Sequence, residues 1–93
     1  MKVRVFPSFR TKLLNQLVFI AQDKPGAARK FRSDIFDEIK KLSLMPYKNR
    51  QSIFFEESSV RDLIFKGYVI VYNINELKGE IEVFGFIKYV EKP

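Results

Sequence analysis

Histidine, cysteine and tryptophan are absent from this 93-residue chain, and glycine and proline occur only four times each. Without histidine or cysteine there is no thiol nucleophile, no imidazole for proton transfer, no disulfide and no nitrogen or sulfur ligand set for zinc. The glycines stand apart at positions 26, 67, 79 and 85, so no glycine-rich loop is available to cradle a phosphate. No apolar run approaches the roughly 18 residues that a membrane helix needs. The opening Met-Lys-Val-Arg-Val contains no signal-peptide core, which favours the cytoplasm. Any chemistry must rest on lysine, arginine, tyrosine, hydroxyl or carboxylate side chains, with no metal, no cofactor and no membrane contact expected.

What the chain does hold is apolar and basic. Hydrophobic residues make up 46% of it, with ten Phe and four Tyr, enough to build the core of one domain over residues 1–93. The net charge of +6 suits either an acidic protein partner or a phosphate backbone, and also serves plain solubility.

The densest stretch is Val60 to Ile74. A mixed segment reaches Lys66-Gly67, where Gly67 permits a tight reversal, and a β-branched and aromatic run follows. In that run Tyr68, Ile70, Tyr72 and Ile74 alternate with Val69 and Val71, a pattern apolar on both faces that predicts a central strand. Ahead of it, Lys2 to Phe6 alternates as a short strand that Pro7 stops, with Ser8 as the expected N-cap of a helix from about Phe9 to Gln22. Leu13, Leu14, Leu17, Ile20 and Ala21 give that helix its stripe. Asp23 to Gly26 breaks the pattern, and Pro25 opens a second helix to about Leu44, striped by Ala28, Phe31, Ile35, Ile39 and Leu42. Tyr47 to Gln51 reads as a basic polar loop, Ser52 to Phe55 as a short strand or an apolar loop, and Glu56 to Ser59 as a solvated turn. A final strand runs from Glu80 to Val90, with Ile81, Val83, Gly85, Ile87 and Tyr89 on one face and Glu80, Glu82, Phe84, Phe86 and Lys88 on the other. The order is β-α-α-β-β-β. It predicts an α+β fold with a mostly antiparallel sheet, a helical hairpin on one face and no element over the other.

Three stretches carry a resemblance: Leu17-Val-Phe-Ile-Ala-Gln-Asp-Lys-Pro-Gly-Ala-Ala28, with Phe31, Ile35 and Leu42 to Pro46 after it; Val60-Arg61-Asp62-Leu63 with Gly67-Tyr68-Val-Ile-Val-Tyr72; and Ile81-Glu-Val-Phe-Gly-Phe-Ile87. In this order they resemble the RelE/ParE superfamily of bacterial toxins from type II toxin–antitoxin pairs. The resemblance implies a small basic toxin neutralised by a cognate antitoxin that wraps it. One branch, RelE-like, cuts messenger RNA in the ribosome by attack of a ribose 2′-OH, with cations stabilising the phosphorane. The other, ParE-like, inhibits DNA gyrase by binding it. This sequence has Val69 and Asp62 where the nuclease branch carries cations, and Lys88-Tyr89 where several members have histidine. Arg61-Asp62-Leu63 looks more like the ParE branch. The resemblance therefore implies a gyrase inhibitor, with a ribosome-dependent messenger RNA endonuclease and a non-toxic binding module of the same fold as alternatives.

Each candidate residue has two readings. Arg61 beside Asp62 is either a target-binding pair or an exposed ion pair. Lys88 and Tyr89, with Arg61, are the catalytic candidates under the nuclease reading; by alternation Tyr89 packs and Lys88 is solvated. Lys48, Arg50, Arg61 and Lys66 are candidates for target or phosphate contact, or ordinary solvated cations. Tyr68, Phe84, Phe86 and Lys88 are candidates for antitoxin contact, because the bare sheet face needs a partner and the last strand offers an edge.

Overall fold

The computed structural model describes residues 1–88. Its elements follow the expected order: β1 (Lys2–Val5), α1 (Pro7–Asp23), α2 (Pro25–Lys41), β2 (Val60–Phe65), β3 (Tyr68–Asn75) and β4 (Glu80–Lys88). The fold is α+β. The sheet runs β1-β4-β3-β2, with β1 parallel to β4 and the other pairings antiparallel. The dense β3 is thus interior, and β1 lies beside β4 with Val5 opposite Val83. Glu80 to Val83 are consequently paired on both sides, so the first half of the last strand offers no free edge.

The helical hairpin is tighter than its sequence suggests. α1 begins two residues early: Pro7, with φ preset, occupies the first turn, and Phe6 in extended conformation is the N-cap. Ser8 does not cap; its hydroxyl donates to the Phe84 carbonyl at 2.8 Å and ties α1 to β4. The predicted break shrinks to Lys24 alone, which ends α1 through Lys24 N–H to Ile20 O at 2.9 Å and starts α2 by accepting from Ala28 N–H at 3.1 Å. α2 stops at Lys41, and its last turn continues to Leu44 through i→i−3 bonds, the tighter winding common at helix ends.

Between hairpin and sheet lies the main core, where Phe9, Leu13, Phe31, Ile35 and Ile39 meet Leu63, Ile70, Tyr72, Ile74, Ile81, Val83 and Phe86. The predicted α2 stripe is buried throughout. On α1 only Phe9 and Leu13 are fully buried, and Leu14 faces solvent.

Two features depart from simple alternation. Val71 opposes Gly85 but Tyr72 opposes Val83, so Phe84 is the extra residue of a β-bulge. The bulge exchanges the faces of β4 beyond Phe84. Phe86 turns into the helix-side core, while Ile87 joins Phe84, Val69, Val71 and Val60 on the far side. The expected grouping of Phe84 with Phe86, and of Ile87 with Ile81 and Val83, is corrected accordingly. The second departure is that the far face is not bare. Arg50 to Ser52 pairs along the outer edge of β2, with Ser52 N–H to Val60 O at 2.8 Å and Asp62 N–H to Arg50 O at 3.1 Å. Farther along, Phe55 lays its ring edge-on to Phe84 at 5.4 Å. Val69 and Val71 are fully buried beneath this cover, and Ile53, Phe54 and Ile64 remain exposed around it.

Candidate functional site

Arg61 and Asp62 are neighbours on β2 and therefore point to opposite faces. They make no ion pair with each other. Asp62 turns under the segment that borders β2 and is only 2% exposed. Its Oδ2 accepts from Arg50 Nε at 3.3 Å, Arg50 Nη2 at 3.2 Å and the Ile53 N–H at 3.0 Å, while Oδ1 is buried without a partner. The carboxylate that stands where the nuclease branch carries a cation is an internal clamp, with Arg50 as its counter-ion. Loss of one partner of such a pair strands the other, so the interaction holds the segment in place more surely than it adds net stability.

Arg61 is committed on the other face. Its Nε donates to Ser58 O and its Nη1 to Asn49 O, both at 3.1 Å, and the guanidinium lies 5.2 Å from the centre of the Tyr47 ring. Tyr47 donates to Glu76, whose carboxylate pushes the phenol up from its ordinary value. Behind them Tyr72 donates to Pro46 O at 2.6 Å and accepts from Asn49 Nδ2 at 3.1 Å; burial pushes this phenol up as well. The loop from Ser43 to Arg50 is thus pinned by side chains from β2, β3 and the turn after β3.

The remaining candidates are spread over the molecule. Lys48 is exposed on the pinned loop. Lys66, in the turn between β2 and β3, is exposed and reaches Asp34 on α2 at 3.4 Å. Lys88 is exposed opposite Tyr68, whereas Arg61 is opposite Tyr72. Arg61 and Lys88 are therefore four positions apart along β3 and on its two sides, about 13 Å in one direction and about 10 Å in the other. They do not converge on one phosphate. Tyr89 lies outside the described residues. Tyr68 stacks on Phe86 at 5.0 Å and meets Phe31 edge-on at 5.2 Å, so these two rings belong to the helix-side core, with Phe86 only 7% exposed. Phe84 stands apart on the far face. Among the described residues, no group of three or more metal-ligating side chains gathers closely enough to hold a metal ion, and no helix is long and apolar enough to cross a membrane.

A further unpartnered apolar area lies on the helical hairpin. Leu14, Val18 and Phe19 are each more than half exposed. Two adjoining hollows between α1 and α2, which share Leu17 and Arg32, form a groove lined by Leu13, Leu17, Ala21 and Ala28 and by Arg10, Arg29 and Arg32, with no carboxylate in its lining. The sequence reading missed this surface. Its signal is present, since Leu14, Val18 and Ala21 recur at i, i+4 and i+7 beside the stripe that faces the sheet. One helix cannot bury both stripes against a single sheet.

A family model described as the ParE toxin of type II toxin-antitoxin system, parDE, matches residues 3–88. Among solved structures the chain is similar to a protein of the chromosomal ParDE TA system from P. aeruginosa. That likeness has a TM-score of 0.80 and 16% sequence identity, and it covers 97% of each chain. At that identity the likeness speaks for the fold alone. No curated protein sequence matches.

Proposed function

The chain belongs to the family of ParE toxins of type II toxin–antitoxin systems, and from that premise we propose that it acts in the cytoplasm by binding DNA gyrase and inhibiting it without hydrolytic chemistry. The observation that carries this reading is the separation of the cations. A nuclease that stabilises a phosphorane needs several cationic donors aimed at one point. Here Arg61 is bound to two backbone carbonyls, Arg50 is bound to Asp62, and Lys88 is two strands away. Val69, where a cation would serve a nuclease, is wholly buried on the far face.

The antitoxin is an acidic, amphipathic partner. Its apolar face fits the α1–α2 groove, and its carboxylates fit the three arginines on the rim. Lys88 is exposed and Phe84 half-buried on the sheet, but Phe84 lies on the face away from the helices, so an antitoxin that touches both it and the groove must wrap round the sheet. Tyr68 and Phe86 belong to the core between the layers.

Two assays with purified chain test the reading. Supercoiling by gyrase should fall as the chain is titrated in, and messenger RNA should stay intact with and without ribosomes. Cleaved transcripts beside unaffected gyrase would transfer the chain to the endonuclease reading. Inactivity in both assays, with antitoxin binding retained, would make it a binding module.

A further inference from the structure

At the C-terminal end of α2 the chain builds a second, smaller apolar site. A cavity of about 220 Å³ opens there, lined by Leu42, Leu44, Met45 and Leu63, with Lys41 and Lys48 beside it. The volume is below the roughly 300–1,000 Å³ of small-molecule sites, but it suits one large side chain of another protein. Its rim is unusual for a surface loop. Leu44 is 84% exposed and Met45 59% exposed, yet the loop that carries them is held at Pro46 by the Tyr72 hydroxyl and at Asn49 by both Tyr72 and Arg61. Apolar side chains on a pinned loop lose little conformational freedom when a partner covers them.

Charge narrows the partner. The one carboxylate in the lining, Glu38, is paired with Lys41 at 3.2 Å, and Lys48 makes no ion pair among the described residues. A free ammonium beside an apolar cavity fits a carboxylate next to an apolar anchor residue. The arginine-rimmed surface follows α2 from Pro25 to Phe36, and the cavity takes over at Glu38, so the two sites are neighbours that share no lining residue.

We propose that this cavity, with Leu44, Met45 and Lys48 at its mouth, is the surface through which the chain grips its target protein, taking a bulky apolar side chain flanked by a carboxylate. The inference rests on the target being a protein, as above, and it separates target binding from antitoxin binding. Its test uses the full chain with Leu44→Ser/Met45→Ser and, separately, Lys48→Glu. All three positions are exposed, and melting curves should match the unsubstituted chain.

Growth arrest on induced expression is the first readout, because it does not presuppose the target. Both variants should relieve it, and affinity for gyrase should fall on the order of tenfold or more in a direct binding measurement. Affinity for the antitoxin should stay within about twofold. Arrest as severe as that of the unsubstituted chain would overturn the proposal. So would an equal loss of antitoxin binding, or a dimer of this chain that the variants dissociate while target affinity is kept. If the variants relieve arrest but the unsubstituted chain leaves gyrase untouched, the gyrase reading fails and the cavity stands as the grip on another target. If the unsubstituted chain causes no arrest, both fail.

Discussion

At Lys66 the backbone adopts φ 48°, the left-handed conformation, and Gly67 follows with φ 82°. Two positive φ values in a two-residue hairpin make a type I′ turn, whose twist matches that of the strands it joins. The glycine was legible as the reversal; that the lysine would share the strain was not, because the turn type depends on the register of β2 against β3. A branched or long side chain in this conformation costs about 1–2 kcal/mol. Asparagine tolerates it better, and the exposed Lys66–Asp34 contact contributes little in return. Lys66→Asn should therefore stabilise the chain by about 0.5–1 kcal/mol in urea unfolding. A loss of stability would mean that the contacts of this lysine with Asp34 and the Phe65 ring outweigh the backbone strain.

The bulge in β4 is the element that most changes what the molecule shows to its surroundings. It requires Gly85. A Cβ at that position would stand 2.9 Å from Val71 Cβ and 3.1 Å from its Cγ2, closer than side chains pack. Val71 is fully buried between β2 and β4 and has no room to retreat. Gly85→Ala should cost about 1–3 kcal/mol, and combining it with Val71→Ala should recover part of that cost in a double-mutant cycle. Strict additivity would mean that the two positions do not touch. The loop from Arg50 to Phe55 is the other decisive element. No alternating pattern marks it, because its order comes from the Asp62 clamp and from the edge of β2 rather than from a ladder of its own.

For the molecule as a whole, apolar exposure and positive charge are arranged together. The α1–α2 groove has arginines on its rim, and the cavity past α2 has Lys48 at its mouth. Such surfaces favour acidic amphipathic partners through the rate of encounter more than through final affinity, and salt screens that advantage. Arg10→Ala/Arg29→Ala should slow association with the antitoxin about tenfold at low ionic strength, and the difference should shrink as salt is raised. A salt-independent difference would assign the arginines to direct packing. Stability also depends on pH. The amide of Asn73 holds the Glu82 carboxyl below its usual range, and the ammonium of Lys30 does the same for Asp34. Because the folded values lie below the unfolded ones, their contribution is present above the carboxylate range and is lost as pH falls through it. Thermal stability should decline on the acid side, and less steeply in Glu82→Gln.

From the sequence alone came the element order, the α2 stripe, the central place of β3, the exclusion of histidine and cysteine chemistry, and the family. These follow from periodicity and residue type, which act over a few neighbouring positions. Tertiary structure decided what depends on distant partners. It set β1 beside β4, buried Asp62 against Arg50, turned Phe86 inward through one extra residue, and drew the loop from Arg50 to Phe55 over the far face. It also left the second stripe of α1 uncovered, because the sheet can bury only one side of a helix.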